Sequence, residues 1–296
     1  MNWDFIYRGE TKYLDDITRR STSSGSFIKL LDGYTHFELD GVVSGQPVVL
    51  IHGFSVPYFI WDPTFHALTS AGFHVLRYDL YGRGFSDRPN INYDIDLFVR
   101  QLYDLLDGLN LQHIDLIGLS MGGAIASSFT VHYQQRVNQL VLIDPVGVLP
   151  MPLKLSYKAA LLPGISELIL GLADTEIMIS GLASDFYDPS HVKLFLAQCS
   201  EQMQIKGFKR AILSTLRNKT LDGFPKVYEQ LGKLNIPILL LWGRHDPTLP
   251  LEQSDPLLML ISQAEFHIVE NCGHIPHYER PEIVNPILIE FLTKND

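Results

Sequence analysis

The stretch Leu116-Ile117-Gly118-Leu119-Ser120-Met121-Gly122-Gly123 carries Gly-x-Ser-x-Gly between an apolar, strand-like run and a helix-like one. A chain passing from strand to helix through so few residues must turn sharply. Such a turn, a nucleophile elbow, lifts a serine hydroxyl clear of the sheet. Gly118 and Gly122 have no Cβ, so strand and helix can close around the serine. The small residues Gly123, Ala124 and Ala126 let the helix lie near the sheet. The pattern alone is weak, with about 0.1 chance matches expected in a chain of this length, and a plain glycine-rich turn would explain it. The strand before and the helix after favour a nucleophile, and the rest of the chain must then supply a base, an acid and an oxyanion hole.

Outward from the elbow, the pattern alternates. It predicts strands over 114–119 and 139–143 around a helix over 122–132. Upstream it predicts strands over 34–39, 47–51 and 74–78, with helices over 61–71 and 94–106. Downstream come strands over 238–242 and 265–269 and a last helix over 281–292. Short apolar strands alternating with helices imply an α/β fold, with a parallel sheet covered by helices on both faces. The alternation breaks from Gly147 to Phe224, where the sequence is mostly helical, strongly apolar and broken by Pro150, Pro152, Pro163 and Pro189. This segment is expected to be a helical insertion that caps a pocket. The division is therefore core over 1–146, cap over 147–224 and core again over 225–296. Residues 1–19 are expected to form a short helix, and Trp3, Phe5, Ile6 and Tyr7 to pack on the protein's own body. The serine- and threonine-rich run 20–26 reads as a loop, and no internal repeat is visible.

The chain has 296 residues, 46% hydrophobic and 19% charged, enough to bury a substantial core. Its formal charge of −10 argues against a nucleic-acid partner, which needs a basic surface. The two cysteines, Cys199 and Cys272, exclude a disulfide scaffold and suit a reduced, cytoplasmic setting. Asp4 and Glu10 interrupt the start of the chain, so no signal peptide is expected. No run is apolar for long enough to span a bilayer, so stable membrane insertion is not expected.

The remaining catalytic parts follow two late strands. Asp246 lies just past the strand over 238–242, and His274 just past the strand over 265–269. Open α/β sheets place their sites at such carboxyl ends. The order Ser120, Asp246, His274 suits a serine hydroxyl activated by an imidazole that a carboxylate orients. Asp144, which ends the strand after the elbow helix, is the rival acid, and His277 is the rival base. His245 is expected to point elsewhere. Two backbone N–H groups should form the oxyanion hole, those of Met121 and Phe54. His52 is expected to be structural, its ring held in the loop by hydrogen bonds. Gly82-Arg83-Gly84 lacks the third glycine of a phosphate loop. No His-Glu-x-x-His or Cys-x-x-Cys is present, so neither a metal nor a cofactor is expected.

Together His52-Gly53-Phe54, the run 79–87, Gly118 to Gly122, the run 243–246 and Gly273-His274 resemble the α/β-hydrolase superfamily, from about residue 34 to the C-terminus outside the middle insertion. The likeness is to capped esterases, C–C hydrolases and cofactor-free haloperoxidases. It implies an eight-stranded, mostly parallel sheet, the triad Ser120, Asp246 and His274, and a cap over about 147–224. Epoxide hydrolases and haloalkane dehalogenases use aspartate where this chain has Ser120. The His52-Gly53-Phe54 loop differs from the His-Gly-Gly-Gly loop of one lipase branch and the His-Gly-x-Gly-Pro-Gly loop of many C–C hydrolases. The expected activity is hydrolysis of small to medium hydrophobic carboxylic esters through an acyl-enzyme. The alternatives are C–C or amide hydrolysis, or a ligand-binding sensor that retains the triad.

Overall fold

Strands with no polar face persist only where both sides are covered. Pro47–Ile51, Ile114–Leu119 and Ile238–Gly243 are such strands, and nearly every residue in them is buried. A computed structural model describes residues 7–21, 24–150, 162, 164–172 and 181–294. Its strands are β1 (Ser26–Lys29), β2 (Tyr34–Gly41), β3 (Pro47–Ile51), β4 (His74–Tyr78), β5 (Ile114–Leu119), β6 (Val137–Ile143), β7 (Ile238–Gly243) and β8 (Glu265–Val269). They form one eight-stranded sheet in the order β1-β2-β4-β3-β5-β6-β7-β8. Only β2 pairs antiparallel, with β1 and β4; the rest of the sheet is parallel.

The described helices are α1 (Asp16–Ser21), α2 (Asp62–Ser70), α3 (Ile95–Gly108), α4 (Met121–His132), α5 (Ile165–Leu172), α6 (Val192–Met203), α7 (Phe208–Arg217), α8 (Pro225–Leu231), α9 (Ser254–Leu260), α10 (Pro276–Glu279) and α11 (Pro281–Lys294). Successive strand residues point to opposite faces, and this divides the core in two. Val49, Ile51, Leu116, Leu140 and Leu142 pack with Leu102 and Leu106 of α3 and Ile125 and Phe129 of α4. Val48, Leu50, Ile117, Val141 and Ile143 pack with Phe65 and Leu68 of α2 and Leu288 and Leu292 of α11. Fully burying each such side chain stabilises the fold by roughly 1.5–3 kcal/mol. Helices on both faces thus hold the sheet rigid beneath the loops at its carboxyl ends. No described helix is long and apolar enough to cross a membrane.

Two local expectations change. Residues 7–15 are not helical; α1 begins only at Asp16, and residues 1–6 lie outside the described set. Lys12 instead forms a parallel bridge with Ile205, a tertiary pairing that overrides local preference. The segment read as a loop over 20–26 ends in strand β1, which begins at Ser26; residues 22 and 23 lie outside the described set. Between β6 and β7 the described chain is helical as expected, while 151–161, 163 and 173–180 lie outside it.

Candidate active site

Ser120 directly follows β5 with φ 55° and ψ −117°, a conformation costing on the order of 1–3 kcal/mol for a residue with a side chain. The surroundings hold it there. Its N–H donates to the Ile143 carbonyl at 2.9 Å, and its own carbonyl accepts from Gly123 and Val146 N–H, both at 3.0 Å. The elbow's glycines are required by space. A Cβ on Gly122 would lie 2.2 Å from the Ile51 carbonyl oxygen, and one on Gly118 would lie 2.4 Å from that of Gly122. Helix α4 starts at Met121, directly after the serine.

Asp246 and His274 meet as their spacing suggests. His274 Nδ1 donates to Asp246 Oδ2 at 2.6 Å, leaving Nε2 as the lone-pair nitrogen. The other oxygen, Oδ1, accepts from Thr248 N–H at 2.7 Å and Leu249 N–H at 2.9 Å, so a tight turn aims the carboxylate. Both residues are buried. Burial presses His274 toward its neutral form, but the charge and hydrogen bond of Asp246, with the charge of Asp185, outweigh it. The imidazole pKa is raised above its ordinary 6.5.

Asp144 joins this pair. Among the described residues, Asp144, Asp246 and His274 are the one group of three metal-capable side chains, with ligand atoms within 4.8 Å of one another. Within the group, Nδ1 of His274 and Oδ2 of Asp246 are already spent on each other. Ser120 is close by through the chain: the carbonyl it binds belongs to Ile143, the residue before Asp144.

The loop after β3 lies against the serine, where a Cβ on Gly53 would sit 3.4 Å from that of Ser120. Leu80 N–H donates to His52 Nε2 at 2.9 Å, which leaves Nδ1–H to donate to the Gly53 carbonyl at 2.8 Å. That carbonyl and the Phe54 N–H share one peptide, so His52 fixes the plane of the expected oxyanion donor. Burial lowers the His52 pKa to about 4, keeping the ring neutral.

A model of the alpha/beta hydrolase family matches residues 48–287. The chain belongs to that family. It is 30% identical over 275 residues to 2-hydroxy-6-oxo-2,4-heptadienoate hydrolase of Pseudomonas putida, covering 90% of this chain and 96% of the relative. A meta-cleavage product hydrolase from Pseudomonas fluorescens IP01, complexed with acetates, superposes with a TM-score of 0.76 at 28% identity, covering 92% of this chain and 98% of that one. A membrane phospholipase A gives 0.77 at 26% identity, covering 92% and 86%.

In this alpha/beta hydrolase the rival histidines have other surroundings. His277 is buried with its ring 4.1 Å from that of Trp61, and desolvation lowers its pKa to about 3. His245 stacks on Tyr187 at 4.6 Å. Two residues that shape the site carry no sequence motif. Asp185, from the segment between β6 and β7, accepts the His274 N–H on its carbonyl at 2.8 Å and the Thr248 hydroxyl on Oδ1 at 2.7 Å. Arg83 is fully buried; its Nε donates to the Phe54 carbonyl at 2.7 Å and its Nη2 to Thr215 Oγ1 at 2.9 Å. The one available signal is Arg83's place between two glycines of a conspicuous loop.

Proposed function

We propose that this hydrolase cleaves carboxylic esters with Ser120 as nucleophile, His274 as base and Asp246 as the acid that orients it. The observation carrying the reading is the 2.6 Å Asp246–His274 hydrogen bond, set at the same end of the sheet as a serine in elbow conformation. His274 Nε2 takes the Ser120 proton as Oγ attacks the acyl carbon. The N–H groups of Phe54 and Met121 stabilise the oxyanion; losing one such donor typically costs about 10²–10³-fold in kcat. His274 returns the proton to the leaving alcohol, and water activated by the same imidazole releases the acid. The apolar segment between β6 and β7 serves as a cap and suits a small to medium hydrophobic substrate. The 26% identical phospholipase A supports ester chemistry.

A second reading, C–C bond hydrolysis, is favoured by the dienoate hydrolase relative, which matches along nearly its whole length. The same triad would then act on a carbonyl whose leaving group is carbon. The test sets p-nitrophenyl esters of graded acyl length beside a 2-hydroxy-6-oxo-dienoate, with wild type and Ser120→Ala. Ester turnover that falls by about 10³-fold or more in the mutant is the expected result. Turnover of the dienoate alone would move the activity to C–C cleavage. Equal activity in both proteins would remove Ser120 from the chemistry.

A further inference from the structure

Asp144 has no part in the reaction described above, yet it is fully buried against it. Its Oδ1 accepts the Gly243 N–H at 2.9 Å, while its Oδ2 meets no donor. Its backbone has φ 40°, a conformation that persists in a residue with a Cβ only where the surroundings impose it. A bare carboxylate oxygen in a dry site is costly, and a second carboxylate within 4.8 Å makes it more so.

We propose that Asp144 is a positioning residue of this site: its carboxyl hydrogen-bonds Asp246 and replaces it as the partner of His274 when Asp246 is removed. This rests on the serine-hydrolase reading. Burial, and then the charge of Asp246, hold the Asp144 carboxyl well above the usual carboxylate range. With a bare, buried oxygen beside a second carboxylate, Asp144 is the carboxyl of the pair that carries the proton and donates. The two carboxyls hold one proton and one negative charge between them, and His274 faces the pair. Without Asp246 the repulsion disappears, the Asp144 proton passes to solvent, and the new carboxylate accepts the His274 Nδ1–H. The charged or titratable groups around Asp144 are Asp246 after β7 and His274 and Cys272 after β8; Asp185, from the segment between β6 and β7, faces Asp246 and His274.

The experiment measures kcat/KM against pH on p-nitrophenyl butyrate for wild type, Ser120→Ala, Asp246→Ala, Asp144→Asn and the double variant Asp144→Asn/Asp246→Ala. Circular dichroism checks folding. Asp246→Asn, which keeps an acceptor for the 246–249 turn, replaces the alanine variant if that one does not fold. Asp246→Ala is expected to keep at least about 30-fold more activity than the double variant, a gap on the scale of a coupled pair. Its activity should also rise with pH along a limb that the double variant lacks, which a merely structural role for Asp144 would not produce. Coincident profiles for Asp246→Ala and the double variant, with Ser120→Ala inactive, would overturn the role of Asp144 and leave the triad standing. Wild-type activity in Ser120→Ala would instead overturn the reading of the site itself.

Discussion

The base form of His274 is set by a contest between burial, which disfavours the imidazolium, and two carboxylates, which favour it. The carboxylates win, so the pKa lies above 6.5. A base must be neutral, so kcat/KM is expected to fall as pH drops through a midpoint above 6.5. Asp185→Asn removes one of the raising charges and keeps an acceptor for the Thr248 hydroxyl. The acidic limb should then move to lower pH; an unmoved limb in a pH–rate profile would show that Asp185 is not coupled to the histidine. Arg83 offers a second test. Replacing it with Met leaves the Phe54 carbonyl and the Thr215 hydroxyl without their partner and frees the peptides around the expected oxyanion donor. The expected loss is on the order of 10²-fold in kcat with little change in KM. A pure KM effect in steady-state kinetics would place Arg83 outside the oxyanion hole. The meeting of Asp246 with His274 and the elbow conformation of Ser120 are legible because each residue follows a strand. Asp185 is not, because its place depends on how a distant segment docks on the His274 loop.

Between strand and helix, the elbow is decided by how closely β5, α4 and β3 approach. A methyl at Gly122 would press on backbone carbonyls of Ile51 and His52, at 2.2 and 2.6 Å, and neither can swing aside as a side chain would. Gly122→Ala is therefore expected to destabilise the protein by on the order of 3 kcal/mol, read as a lower urea midpoint with an unchanged slope. An unchanged midpoint would mean that α4 slides on the sheet at no cost. The same packing explains why the central elements could be read from sequence. β3, β5, β6 and β7 are almost entirely buried, and the apolar runs within them, such as Leu140 to Ile143 and Ile238 to Trp242, are hard to mistake. Edge strand β1, Ser26–Lys29, is short and half-exposed, and its pattern does not stand out from a loop. Its place comes from the antiparallel hairpin it forms with β2, in which Lys29 pairs with Tyr34 and Ser26 with Phe37.

Across the molecule, the chain's N-terminal run ties the sheet's covering segment together from outside. Tyr7 is buried, in keeping with the expectation that this lead-in packs on the protein, while Trp3, Phe5 and Ile6 lie outside the described residues. Arg8 N–H donates to the Gly171 carbonyl at 2.8 Å, next to the end of α5. The Glu10 carboxylate accepts from Gly207 N–H at 2.8 Å and Lys209 N–H at 2.6 Å at the start of α7. Gly207 has no side chain to cap that helix, so Glu10 caps it from elsewhere in the sequence. Lys12 N–H then donates to the Gln204 carbonyl at 3.0 Å, and Lys206 N–H to the Lys12 carbonyl at 2.9 Å. α7 also carries Thr215, the partner of Arg83, so the strap is connected to the Phe54 loop after β3 through one helix and one guanidinium. Glu10→Ala leaves two helix-terminal N–H groups unsatisfied, a loss of about 1–2 kcal/mol. That loss should act locally: hydrogen exchange should speed up over 205–217, while β5 and β6, held by the sheet, keep their protection. Uniform acceleration across the sheet would mean that the strap belongs to the global folding unit. No acceleration at all would mean that the rest of the segment between β6 and β7 holds α7 without it.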